Sequence, residues 1–322
     1  MRNTLVKTIL DKYHQDQRTV LITGDLGFMA FEELREIMGP NFINAGVAEA
    51  NMIGLAAGMS SLGYKPIVYS MIPFVTLHCL EQIRVMLCQT LRNVIIVGIG
   101  AGYSYGNQGP SHHATEDIAA MSALPGMTVI APADPFEVEK ALLAASGVKG
   151  PVYIRLAKNG ERIIHCHQRS FDIGRFSLLR QGQDAIIFST GEITGRCVNL
   201  ADQLDKEGYK VAVHSCHTLK PFDCGTVVKA GRKSKLIFTA EQHVESGGLA
   251  SKVALTLARN AINVKLFHSF CINDNYASVC GDKDYLEDID GLSQDKMKEK
   301  IFNFLNEYIP KISTNRHAAI EA

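Results

Sequence analysis

Residues 44–61 read N-A-G-V-A-E-A-N-M-I-G-L-A-A-G-M-S-S. A turn centred on Gly46 leads into a run holding Ala48, Ala50, Gly54, Ala56, Ala57, Gly58, Ser60 and Ser61, which predicts a helix of small side chains that other backbone can approach closely. The helix is apolar or small nearly all round, the pattern of a buried element. Its one acidic residue, Glu49, admits two readings. A carboxylate in a first helical turn is favoured by the positive end of the macrodipole and is ordinarily solvated. A carboxylate directed into a core instead needs a specific partner.

Outward from this stretch, strands and helices alternate. Thr19–Thr23 reads as a strand closed by Gly24-Asp25-Leu26-Gly27, Phe31–Met38 as a short helix, Lys65–Ser70 as a strand and Phe74–Leu91 as a helix. The pattern continues with strand Asn93–Gly98, helix Glu116–Leu124, strand Met127–Ile130, helix Pro135–Ser146 and strand Pro151–Leu156. Such alternation predicts a mainly parallel sheet covered on both faces. Residues 161–183 interrupt it with polar and basic side chains, including Arg162, His165, His167, Gln168 and Arg169, and read as a linker between domains 1–160 and 184–310. The second domain repeats the alternation. It has strands Asp184–Ser189, Tyr209–His214, Ser234–Ala240 and Asn263–His268, helices Gly195–Glu207, Gly248–Ala258 and Gln294–Leu305, and a disordered tail over 311–322. The predicted class is α/β, two consecutive doubly wound domains.

Composition narrows the function. At 322 residues each domain is large enough to bury its own core. The 33 basic and 33 acidic residues cancel with no run of like charge, so neither nucleic acid nor an anionic membrane surface is an expected partner. Apolar runs such as Val94–Ile99 have strand length, far short of a membrane span. The N-terminus has helical spacing and no continuous apolar region of a signal peptide. Eight cysteines at 79, 88, 166, 197, 216, 224, 271 and 280 form no C-x-x-C pair, and read as reduced, mostly buried thiols of a cytoplasmic protein without a structural zinc.

The loop after strand Asn93–Gly98, G-I-G-A-G-Y-S-Y-G-N-Q-G-P-S-H-H, invites a dinucleotide reading, but Tyr103 stands at the third glycine position and Gly109-Pro110 precludes a helix there. Ser189-Thr190-Gly191 before a helix reads as a structural turn. His112 and His113 are adjacent and cannot normally chelate one ion, so no metal is expected. A single histidine held by Pro110 and Ser111, available for proton transfer or hydrogen bonding, is one reading of this loop, and an ordinary exposed histidine is the other.

Four stretches, in order and spacing, resemble the C-terminal half of a transketolase. They are A-G-V-A-E-A-N-M at 45–52, G-N-Q-G-P-S-H at 106–112, L-P-G-M-T-V-I-A-P-A-D at 124–134 and E-Q-H-V-E-S-G-G-L at 241–249. The resemblance implies a pyrimidine-binding domain followed by the family's C-terminal domain. It also implies thiamine diphosphate shared with a partner chain, because this chain begins too late to include the domain that holds the diphosphate and a Mg2+ or Ca2+ ion. Glu49 then bonds the cofactor's pyrimidine, Phe74 stacks on it with Met71 and Leu77 nearby, and Asp25 lies near the cofactor. His112 meets the reacting end of the substrate and Gln108 its hydroxyls. At the phosphate end Arg2 matches a family Arg, whereas Gly100 stands at a position that is His in some transketolases, Lys158 at one that is Arg and Met29 near one that is Ser. These departures suggest a sugar or sugar-phosphate substrate other than the usual pentose and hexose phosphates.

The expected activity is transfer of a two-carbon ketol unit by an α2β2 assembly that includes self-association of this chain. The alternatives are an enzyme like 1-deoxyxylulose-5-phosphate synthase, one like the beta subunit of a 2-oxo-acid dehydrogenase, and a non-catalytic binding or regulatory subunit.

Overall fold

The computed structural model describes residues 1–27, 29–158, 163–165 and 170–309. The expectations placed on Arg162, His167, Gln168, Arg169 and the 311–322 tail lie outside the described residues.

The first part contains helix α1 (Arg2–Gln15), strand β1 (Thr19–Thr23), helix α2 (Glu32–Met38), strand β2 (Phe42–Asn44), helix α3 (Glu49–Ser61) and strand β3 (Lys65–Met71). Helices α4 (Ile72–Val75) and α5 (Leu80–Gln82), strand β4 (Ile95–Ile99), helix α6 (Asp117–Ala123), strand β5 (Thr128–Ile130), helix α7 (Pro135–Ala145) and strand β6 (Val152–Leu156) follow. The second part runs through β7 (Ser177–Arg180), β8 (Ala185–Ser189), α8 (Ile193–Lys206), β9 (Val211–Ser215), β10 (Thr218–Lys220) and α9 (Cys224–Lys233). It closes with β11 (Leu236–Val244), α10 (Leu249–Arg259), β12 (Leu266–Ile272), α11 (Lys283–Ile289) and α12 (Gln294–Tyr308).

Two mainly parallel sheets result, in strand orders β10-β5-β6-β4-β3-β1-β2 and β12-β11-β8-β9-β7. Strands β1, β4, β6 and β8 are buried along their whole length, as their unbroken Val/Ile/Leu-rich runs require when helices cover both faces. The α/β class read from the alternation is the observed one.

Several elements depart from expectation. The helix expected over Phe74–Leu91 is broken into α4, α5 and a π-helical turn, Ile83–Cys88. The Thr76 hydroxyl donates to the Ile72 carbonyl at 2.6 Å and the Cys79 thiol to that of Phe74 at 3.2 Å, competing with the helical ladder. The last strand lies at Leu266–Ile272 instead of Asn263–His268, because the amides of Lys265 and Leu266 both donate to the Lys235 carbonyl and pairing with the nine-residue β11 carries it onward. Strands β2, β7 and β10 have three or four residues, too few for alternation to register, and helices α9 and α11 were not foreseen. The seven described cysteines are free, with Cys224 and Cys280 exposed.

The two parts are joined by more than a tether. β10 follows β9 of the second sheet yet pairs antiparallel with β5 of the first. Beneath this junction His165 is buried between two carboxylates, with Nδ1 2.8 Å from Asp134 Oδ2 and Nε2 3.3 Å from Glu137 Oε1. Asp134 caps α7 through the Glu137 amide, and Glu137 accepts from Ser215 of β9 at 3.0 Å. Burial alone would lower the His165 pKa, but its hydrogen bond to Asp134 and its contact with the Glu137 carboxylate outweigh it and raise the value from 6.5 to about 9. A histidine whose folded-state pKa is raised contributes stability that is fully present below its unfolded value, near 6.5, and is lost as pH rises through about 9. The melting temperature is therefore expected to fall across this window, and His165→Gln to lower it below pH 6.5 while flattening the fall; equal slopes in both proteins would contradict the assignment.

Candidate functional site

Glu49, Asp25, Phe74, Gly100, Gln108, His112 and Lys158 all lie on segments that follow β1, β2, β3, β4 or β6, and so gather at the carboxyl edge of the first sheet. That edge is where an open α/β sheet forms its crevice. Arg2 joins them because α1 runs back along the sheet and the short Asp16–Arg18 turn connects its far end to β1.

Glu49 is the first residue of α3 and is buried to 5% exposure. The two readings of this carboxylate are thereby separated: it faces inward. The Ser70 hydroxyl, fully buried near the end of β3, donates to Glu49 Oε1 at 3.0 Å. Among the described residues no side chain or backbone group bonds Oε2. Gly24 makes the room, since a Cβ there would stand 2.9 Å from Met52 Sδ and 3.2 Å from Glu49 Oε1. Asn44 shapes the adjoining turns, its Oδ1 accepting from the amides of Asp25 and Gly46, both at 3.0 Å, while its Nδ2 donates to Asp25 Oδ1 at 3.1 Å. Asp25 is thus held by Asn44 in a left-handed conformation, φ 55°.

The half-buried Phe74 ring meets His112 edge to face, centroids 5.2 Å apart. Ser111 Oγ lies 2.9 Å from His112 Nδ1, the pairing expected from the P-S-H stretch. Its neighbour His113 is buried and turned away, with Nε2 3.2 Å from the Gly106 carbonyl, and burial lowers its pKa. Met71 ends β3 against the core below, and Leu77 is exposed beyond the break in the helix.

A third group lies along the loop after β4. Gly100 has φ +102° and faces the Tyr105 ring, which a Cβ would meet at 2.5 Å. The Lys158 ammonium lies 4.7 Å from the centre of the same ring. Burial raises the Tyr105 pKa and the charge of Arg2 opposes that rise, so two cations attend one phenol. Arg2 Nε is buried without a hydrogen-bond partner among the described residues. Gln108 is exposed on a 3-10 turn, and Met29, 91% exposed, stands on the loop after β1.

Residues 1–162 match the family described as transketolase, pyrimidine binding domain, and residues 174–275 that of the transketolase C-terminal domain. The chain belongs to the transketolase family. A 6-deoxy-6-sulfo-D-fructose transketolase subunit from a Clostridium strain is 33% identical over 81% of each chain. An apulose-4-phosphate transketolase subunit from Phocaeicola vulgatus is 28% identical over 82% of this chain and 86% of its own. A solved structure described as the inactive beta4 tetramer of a split gene transketolase superposes with TM-score 0.83 at 29% identity, covering 95% of this chain and 97% of that one.

Within the transketolase fold, the E-x-x-x-x-x-G-G-L stretch now has a structural account. Glu241 is fully buried and accepts from the amides of Leu249 and Ala250 at 2.7 and 2.8 Å, capping α10, and Gly248 leaves room for its carboxylate. Burial outweighs these bonds and raises its pKa to about 8. The Thr190 turn is structural as expected, its hydroxyl bonded to the Cys216 carbonyl and the Gly191 amide to that of Ala131.

Sequence reading missed Ser70 and Asn44. A serine near the carboxyl end of K-P-I-V-Y-S-M, and an asparagine before a glycine turn, were the available signals. Helix α3 is also less enclosed than its composition predicts. Glu49, Met52, Ile53 and Ala56 are buried, whereas Asn51 and Gly58 are not, and Val47, Leu62, Val85 and Met86 leave apolar surface beside them.

Proposed function

We propose that this chain is the pyrimidine-binding subunit of a thiamine-diphosphate-dependent transketolase, transferring a two-carbon ketol unit from a ketose donor to an aldehyde acceptor in the cytoplasm. The reading includes a partner chain that holds the diphosphate and its Mg2+ or Ca2+, in an α2β2 assembly. The observation that carries it is the buried Glu49 carboxylate, oriented through Oε1 by Ser70 and open at Oε2. A scaffold subunit has no use for such a group, and burying it without a ligand is costly.

These residues fit the cofactor. Oε2 of Glu49 would accept or share a hydrogen bond with a ring nitrogen of the bound cofactor, and the Phe74 ring would give it an apolar wall. When bound, thiamine diphosphate supplies the carbon nucleophile that takes up and passes on the two-carbon unit. Glu49 holds or shares a proton at Oε2 toward the pyrimidine, and the Ser70 bond fixes that oxygen's direction. Phe74 keeps water from the reacting face, while Met71 and Leu77 line its surroundings and Asp25 shapes the wall through Asn44. In the tautomer where Ser111 donates to His112 Nδ1, Nε2 carries the proton and donates to a substrate oxygen that gains charge. Gln108 offers an amide to substrate hydroxyls, and Lys158 and Arg2 offer charge to an acidic substrate end. Gly100 contributes backbone only, because Tyr105 occupies the space beside it.

The uncovered face of α3 supports a partner and self-association, as do the names of the split-gene and subunit relatives. The test is to mix this chain with a chain bearing the diphosphate-binding domain and assay ketose-dependent ketol transfer beside pyruvate decarboxylation. Ketol transfer by the mixture and neither chain alone is the expected result. Turnover of pyruvate only, or full turnover by this chain alone, would overturn the reading.

A further inference from the structure

The loop that carries Gln108 and His112 is held from the other half of the molecule. It leaves β4 and is closed at its base by a bridge in which Gly102 and Ala114 exchange hydrogen bonds of 3.0 and 2.9 Å. Directly after that bridge Tyr103 is buried to 3% exposure, and its ring packs with the core of the second domain, not the first. Its hydroxyl donates to Asp290 Oδ2 at 2.8 Å, across 187 residues of sequence. Asp290 immediately follows α11 and is itself fixed by Asn273 Nδ2, which donates to Oδ1 at 2.7 Å.

Two further contacts pass this anchorage along the loop. The Tyr103 ring meets His113 edge to face at 4.9 Å, and His113 Nε2 lies 3.2 Å from the Gly106 carbonyl. Gly106 in turn lies so close to the second domain that a Cβ there would stand 2.5 Å from the Gly281 carbonyl and 3.1 Å from Leu286 Cδ1. The segment around α11 therefore grips the loop at Tyr103 and Gly106, and the Tyr103–His113 contact reaches the residue beside His112.

We propose that Asp290 is a positioning residue for the substrate-facing loop, fixing Gln108 and His112 through its hydrogen bond with Tyr103. The assignment of the loop to substrate rests on the proposed function; its attachment to Asp290 does not. A charge-assisted hydrogen bond from a buried phenol is directional, and losing it lets the loop settle in several arrangements while the apolar cluster shared by the two parts stays packed. The second domain thereby acts on a reaction to which this chain contributes groups from its first.

Two arms test this. In hydrogen–deuterium exchange of the full chain, Asp290→Ala and Tyr103→Phe are each expected to speed exchange at the Gly106, Gln108 and His112 amides about tenfold, leaving β4 and β11 unchanged. In the assembled enzyme the same variants are expected to raise the donor KM about tenfold with cofactor affinity unchanged. Asp290→Asn, which keeps an acceptor for Tyr103, is expected to recover most of both losses, and the double variant to be no worse than either single one. Unchanged loop exchange, additive kinetic losses, or wild-type donor KM in both variants would overturn the proposal. If the wild-type assembly lacks ketol transfer, the proposed function fails, while the exchange arm still decides whether Asp290 holds the loop.

Discussion

Glu49→Ala is expected to lower ketol transfer by roughly 10²–10⁴-fold, the range that a positioned proton-sharing group contributes. The chain should still fold. Among the described residues the side chain's hydrogen bond is the one from Ser70, so removing it leaves a single buried hydroxyl without that acceptor, a cost of about 1–3 kcal/mol. Glu49→Gln separates the two effects further, because its amide oxygen still accepts from Ser70 while Oε2 is replaced by an NH2 group that can only donate. The Gln variant should therefore melt close to the parent and still lose most activity. Cofactor affinity and rate are to be measured together in the assembled enzyme. A variant with near-normal rate would remove Glu49 from the mechanism, and the proposed function with it.

The largest expected effect on stability lies elsewhere. Arg155, 2% exposed in β6, donates through Nε to Asp117 at 2.9 Å, and Tyr153 donates to the same carboxylate at 2.7 Å. Arg155 Nη2 donates to the carbonyls of Ala114 and Gln242, each at 2.8 Å, and so binds the base of the loop that carries Gln108 and His112 to β11 of the second sheet. Removing one partner of a buried pair strands the other's charge, so Asp117→Ala and Arg155→Met are each expected to destabilise the fold by about 3–5 kcal/mol. Replacing both should cost less than the sum, because neither charge is then left alone. Urea unfolding of the two single variants and the double checks this. Single losses below about 1 kcal/mol, or full additivity, would mean that water reaches the pair.

How much of this was legible beforehand differs between fold and site. The alternation of strand and helix, the placement of Glu49 at a helix start, and the pairing of Ser111 with His112 are local matters. They depend on periodicity, a glycine turn and adjacent residues, all of which survive in a linear string. The broken helix after β3 was not legible, because Thr76 and Cys79 bond backbone carbonyls only once the surrounding packing holds them there. Ser70 was passed over since a serine in an apolar strand has no meaning until the strand is laid beside α3.

By itself the sequence determined the α/β class and the transketolase resemblance, and the resemblance in turn named residues that the fold brings to the carboxyl edge of the first sheet. Those follow from hydrophobic period and from motifs whose members lie within a few residues of one another. The tertiary structure alone decided that Glu49 faces inward onto Ser70, that Tyr105 fills the space at Gly100, that β10 crosses to the first sheet, and that Arg155 and Asp290 tie the loop to the second domain. Each of these joins elements that only folding brings together. The strength of such a contact depends on burial and direction, which only the folded chain defines.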